Sequence, residues 1–188
     1  LNIFIGAGAG NLTVGSTATS ALDGSENIGI GDLSLNAITT GQYNIAIGTH
    51  SQKYNTTGGS NVSIGTDSLS SASLTGGSNS CGGTDACLSN TSGAGGSAWG
   101  DHALQATTTG AFNSGFGASA LYSNITGADN AALGALSLHQ ALGSGNVAAG
   151  YAAGYNETGS NQFYVGNVQQ ASQANDRAYS LLWGTFSG

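Results

Sequence analysis

The 188-residue chain holds 33 glycines, no proline and no methionine, and only 6% of it is charged, far from ordinary globular usage. Nine acidic residues against Lys53 and Arg177 leave a net charge of −7, which repels phosphate backbones and anionic lipid surfaces and speaks against nucleic acid and membrane surfaces as partners. Hydrophobic residues still make up 39%, enough for the chain to fold, and there is no run of about 18 apolar residues and no charged-then-apolar leader that would insert into a membrane.

Residues 1–26 read as irregular first coils or an N-terminal cap, because Asn2-Ile-Phe-Ile-Gly6 and Asn11-Leu-Thr-Val-Gly15 lie only nine residues apart. A start at Leu1, already inside a repeat, suggests a piece of a longer chain. From residue 27 to 166 a motif Asn-x-x-x-Gly recurs, closing at Gly31, Gly48, Gly65, Gly83, Gly100, Gly117, Gly134, Gly150 and Gly166, with a further match at Gly184. The intervals are 17, 17, 18, 17, 17, 17, 16, 16 and 18. A second glycine runs seven residues ahead of most of these, from Gly24 and Gly41 to Gly143 and Gly159. Two landmarks in one register are the signature of a solenoid, and the density of Gly, Asn, Ser and Thr argues against helical filling. The expected fold is all-β: a parallel β-solenoid of about ten 17-residue coils. Each coil should carry two short β segments, one strongly marked and one weakly, the second at Leu35, Leu69, Leu104, Leu121 and Leu138.

Within the motif the first and third x are mostly larger and apolar, as in Ile28 and Ile30, while the middle x is small: Gly29, Ala46, Ser63, Cys81, Ala98, Gly115, Ala132 and Ala148. That is the alternation of a strand with two unlike faces. The absence of Lys, Glu or Gln at the middle position suggests a face that another backbone approaches closely, so this column is read as the seam of a homo-oligomer. The alternative is a monomeric solenoid with a tolerant flat face. Asn27, Asn44, Asn61, Asn79, Asn113, Asn130 and Asn146 share one position, broken at Gly96, and should stack as a hydrogen-bonded structural ladder.

Two residues after the closing glycine, successive coils place His50, Asp67, Asp85 and His102. Stacked roughly 4.8 Å apart, these would form a vertical ladder, and the repelling carboxylates would be balanced by the imidazoles or by a cation such as calcium. Charge balance is the plainer expectation, and no cofactor is otherwise expected. Cys81 and Cys87 occupy the middle and the Leu positions of one turn, which should point different ways, so two buried thiols are expected ahead of a local disulfide. No catalytic motif emerges from the three histidines or the many serines, and an enzyme is not expected. Tyr54, Tyr122 and Tyr155 fall in the outer part of their turns and are candidates to stack on a receptor sugar.

The stretch NSGFGASALYSNITGADNAALGALSL, from Asn113 to Leu138, resembles the Asn-x-x-x-Gly-x-x-Ala-Leu repeats of phage tail-fibre proteins and, more distantly, the heads of trimeric autotransporter adhesins. The resemblance covers residues 11 to 166 and implies a left-handed β-roll, a homotrimer, and attachment to a host surface glycan or protein. It implies a virion tail fibre, or alternatively a bacterial cell-surface adhesin or a structural spacer. Residues 167–188 resemble the connector that, in many tail fibres, precedes a self-cleaving chaperone. With Arg177, Tyr179, Trp183 and Phe186 they also read as a cap that covers the last coil.

Overall fold

The structure, a computed structural model, describes residues 1–10, 24–71 and 74–186. The motif at Asn11 to Gly15 lies outside the described residues. One sheet runs the length of the molecule in strictly sequential order, so each strand pairs with its predecessor and its successor in the chain. Its strands are β1 (Ile3–Ile5), β2 (Ile28–Ile30), β3 (Ile45–Ile47), β4 (Val62–Ile64), β5 (Ser80–Gly82), β6 (Ser97–Trp99), β7 (Ser114–Phe116), β8 (Ala131–Leu133), β9 (Val147–Ala149), β10 (Gln162–Val165) and β11 (Leu182–Thr185). β1 to β10 are parallel, with motif positions opposite one another at every step. From β2 to β10 the chain makes eight turns of 16 to 18 residues, a parallel β-solenoid.

The first and last matches to the motif differ from the rest. β1 pairs in register with β2, Ile3 opposite Ile28, across a spacing of 25 residues, longer than in the later coils. Gly184 closes no coil, since it lies in β11, which turns back antiparallel along β10 with Trp183 opposite Tyr164. Between them the helix α1 (Gln173–Tyr179) is capped by Ser172, whose hydroxyl accepts from the Asn175 N–H.

The weakly marked second segment is also not a strand. The wall facing the sheet is built from residues in left-handed backbone, at the second and fourth positions after each closing glycine: His50 and Gln52, Asp67 and Leu69, His102 and Leu104, Ser119 and Leu121. Left-handed angles cost an L-residue on the order of 1 kcal/mol each. They are held because each of these N–H groups bonds to a neighbouring coil, as in Leu69 N–H to Ala86 C=O at 2.8 Å and His102 N–H to Thr84 C=O at 2.8 Å.

The interior reverses the expected alternation. The small middle residues point into the solenoid: Ala46, Ser63, Cys81 and Ala98 are fully buried within one chain, and Gly29, Gly115, Ala132 and Ala148 are buried with them. They cannot be the seam between copies. The reason is the narrowness of the coil: Leu35, Leu69, Leu104, Leu121 and Leu138 project from the opposite wall and are also buried, leaving room only for a small side chain across from them. Where the Leu position is glycine the relation inverts. Phe4 fills the middle position of β1 where Gly10 stands in the Leu column, and Tyr164 fills that of β10 against Gly154. An aromatic ring thus fills the core at Phe4 and again at Tyr164.

The same geometry corrects the expectation for the cysteines. Cys81 and Cys87 both face inward, across the lumen from each other, and are joined in a disulfide with their Cα atoms 6.2 Å apart. One coil is filled with polar groups instead. Gln52, in the Leu column, donates to Ile45 C=O at 3.0 Å and to Ser63 Oγ at 3.0 Å and accepts from Asn55, and this layer divides the apolar core into two clusters.

The closing glycines explain themselves at Gly100. Its φ of +142° lies where side chains are not tolerated, and a Cβ there would sit 2.5 Å from the backbone of Gly117 in the next coil. Backbone stacks on backbone along this edge.

Candidate functional site

With the middle column inside, the first and third motif positions face outward along the whole sheet. The first column runs Ile3, Ile28, Ile45, Val62, Ser80, Ser97, Ser114, Ala131, Val147 and Phe163, and the third runs Ile5, Ile30, Ile47, Ile64, Gly82, Trp99, Phe116, Leu133, Ala149 and Val165. Leu133 is 61% exposed and Ile5 58% exposed, and Trp99, Phe116 and Ile64 are exposed as well. No charged side chain interrupts either column. An uncharged, largely apolar face of this length, interrupted only by Ser80, Ser97, Ser114 and Gly82, is what a protein surface avoids unless something covers it.

Along one edge of the sheet the asparagines form the ladder. Asn44 Nδ2 donates to Asn27 Oδ1 at 3.0 Å and to Gly58 C=O at 2.9 Å, and Asn130 repeats this on Asn113 and Gly143. Asn61, Asn79 and Asn146 bond to the glycine carbonyls of the next coil in the same way. Asn2 extends the ladder downward by accepting from Asn27 N–H, and Gln162 ends it by donating its N–H to Asn146. At Gly96 only the main chain continues, its N–H bonding to Asn79 Oδ1 at 2.9 Å. Every amide is consumed within the chain, so the ladder aligns coils rather than presenting groups to a ligand.

The His-Asp column separates into two pairs. His50 Nδ1 lies 3.1 Å from Asp67 Oδ1, and His102 Nδ1 lies 3.5 Å from Asp85 Oδ2, all four side chains being partly exposed. His50 and Asp67 are within hydrogen-bond distance, whereas His102 Nδ1 makes no hydrogen bond. Among the described residues no three His, Cys, Asp or Glu converge as metal ligands.

The tyrosine candidates are not alike. Tyr122 and Tyr155 are joined by a residue that the sequence reading missed, His139, which stacks between them with ring centroids 5.0 and 4.7 Å away. All three stand at the fifth position after a closing glycine, a column visible in the spacing once searched for aromatic rings. Both faces of the imidazole and one face of each phenol are therefore taken, and the burial of His139 lowers its pKa, keeping it neutral. Tyr54 stands apart, with the Lys53 ammonium 4.9 Å from its ring centre.

The densest polar cluster lies in the cap. Glu157 is fully buried and accepts from Gly159 N–H at 2.6 Å and from Arg177 Nη2 at 2.9 Å, as well as from Tyr164 and Gln173. Burial alone would raise the Glu157 pKa, but the donors of Tyr164, Gly159, Arg177 and Gln173 outweigh it and hold the carboxylate below its ordinary range. The Tyr164 hydroxyl is pushed up, by burial and then by its bond to Glu157. Asp176 is buried beside them and its pKa is raised by that burial, although it accepts from Asn156 N–H at 2.6 Å. Arg177 also packs over Trp183, whose Nε1 donates to Gln162 at 3.1 Å. The Glu157 carboxylate is saturated by these donors, whereas Asp176 Oδ1 is buried without a hydrogen-bond partner. No family model, curated protein or solved structure matches the chain.

Proposed function

We propose that the chain is the rod of a homotrimeric fibre, a tail-fibre segment of a virion that serves attachment to a host cell surface. The single observation that carries this reading is the uncharged, largely apolar outer face of the sheet, which in an isolated chain would expose Ile5, Trp99, Phe116 and Leu133 to water. Copies of the same chain are the natural cover, since the face is as long as the array and offers no charge for an unlike partner to recognise. The repeat's resemblance to tail-fibre proteins supplies the trimer and the attachment role. No cation is invoked in this reading; the nearest imidazole nitrogen lies 3.1 Å from Asp67 and 3.5 Å from Asp85.

A second reading, a spacer that sets reach while another domain binds, is favoured by the Tyr122–His139–Tyr155 stack, whose ring faces are mostly occupied. Tyr54 is then the better candidate for a sugar contact. Labelled protein titrated onto bacterial cells, before and after enzymatic removal of surface polysaccharide, separates the two. Saturable binding that weakens in Tyr54→Ala supports attachment, whereas no binding by an intact assembly leaves the spacer.

A further inference from the structure

We propose that the cavity between the last coil and the C-terminal cap is a binding site for one small primary amine, held through its ammonium group by the carboxylate of Asp176. The site lies within a single chain, so its test is independent of the assembly and attachment proposed above.

The cavity measures about 210 Å³. Its walls include Ala152 and Ala153 of the last coil, Val168 and Gln170 of the loop after β10, Asp176 of α1, and Leu181 just beyond that helix. This is several times the roughly 30 Å³ that a water occupies in the liquid, yet below the roughly 300 Å³ at which sites for drug-sized ligands begin. One small molecule fits it. The apolar walls suit a short carbon skeleton, and Asp176 supplies the charge. That side chain is buried; its Oδ2 accepts from Asn156 N–H at 2.6 Å, and its Oδ1 has no hydrogen-bond partner. A buried carboxylate oxygen with nothing to accept from calls for a donor.

No cation of the chain answers it. Lys53 and Arg177 are the only basic residues besides the histidines, and both are engaged elsewhere. Arg177 spends its guanidinium on Glu157 and the Tyr164 hydroxyl, and Lys53 stands over Tyr54. Glu157 and Arg177 cancel each other, which leaves Asp176 as the uncompensated charge of the cap. Its raised pKa reflects first its burial and last the repulsion of Glu157. A divalent metal fits this chemistry poorly, since it asks for several oxygens and, among the described residues, no three His, Cys, Asp or Glu converge. A neutral hydroxyl compound satisfies Oδ1 and leaves the charge unbalanced. An ammonium group does both, with three donors on one positive centre. A free alkylamine and a terminal amino sugar both carry that group.

Isothermal titration calorimetry of the full chain near neutral pH with ethanolamine, glucosamine, N-acetylglucosamine and glycerol tests the site. Ethanolamine or glucosamine should bind saturably, one per chain, and N-acetylglucosamine, which keeps the ring and loses the charge, should bind at least about tenfold more weakly. Tighter binding of glucosamine identifies an amino sugar as the source, and tighter binding of ethanolamine a free alkylamine. Asp176→Asn keeps the volume and removes the charge, and should weaken the amine at least about tenfold with an unchanged circular dichroism spectrum. Should Asp176→Asn fail to fold, Leu181→Trp narrows the cavity from a rim position that is 79% exposed, and should weaken the amine to a similar degree. Absence of saturable amine binding at millimolar concentration overturns the proposal. So does equal binding of N-acetylglucosamine or glycerol, or an affinity unchanged in either variant.

Discussion

The repeat array and the C-terminal cap solve the same problem, covering an apolar core, by different means. In the array a residue's role follows from its column: middle positions are small because the facing leucines fill the lumen, and closing glycines are required because backbones stack. In the cap, roles belong to individual contacts, with Tyr164 filling the last coil while its hydroxyl, Gln173 and Arg177 converge on buried Glu157. The array is therefore tolerant of change along a column and intolerant across it. The cap depends on a few polar pairs whose loss strands a charge.

The largest effect should come from breaking the array's column rule. Gly100→Ala places a Cβ against the Gly117 backbone, which cannot move without its own neighbours, and should cost more than about 4 kcal/mol in denaturant unfolding. In the cap, Arg177→Ala leaves Glu157 buried without its cation. Because Arg177 is partly exposed, the expected loss is about 2–3 kcal/mol, and hydrogen exchange should show it at β10 and α1 before β3.

The columns were legible in the sequence because a period needs no knowledge of direction. Which face of the strand lies inside was not legible: alternation alone is symmetric, and the usual expectation that larger apolar residues face the core fails in a coil whose opposite wall is already filled by leucine. The same inversion hides the disulfide, since the middle and Leu positions are expected to point different ways when both face the lumen. The cap contacts lie outside any repeat. Glu157 reads as an ordinary turn residue, and only the fold brings Arg177, twenty positions on, against it.

Acid should sharpen the contrast between the regions. Glu157, with its pKa held below the ordinary value, contributes stability that is present above the unfolded carboxyl pKa and is lost as pH falls through the folded one. Asp176, with a raised pKa, has the opposite sign: its contribution is greatest when protonated and declines as pH rises through its folded value. Melting followed from neutral pH to below about pH 4.5 should therefore show the cap loosening ahead of the array, and Glu157→Gln should flatten the dependence while Asp176→Asn steepens it.

The smallest change repairs the array. Gly96 is the gap in the asparagine ladder, where only a main-chain N–H reaches Asn79. Gly96→Asn should restore the amide contacts made at Asn44 and Asn130 and raise stability by about 1 kcal/mol, read from the denaturation midpoint at unchanged slope.

The central claim is that the outward columns of the sheet are covered by copies of the same chain. Sedimentation equilibrium of the wild-type chain beside Leu133→Lys, a residue that is 61% exposed in the single chain, tests it most directly. The account predicts three chain masses for the wild type and one for the variant, with both giving the same circular dichroism spectrum. A single chain mass for the wild type, or an undiminished trimer in Leu133→Lys, would contradict it.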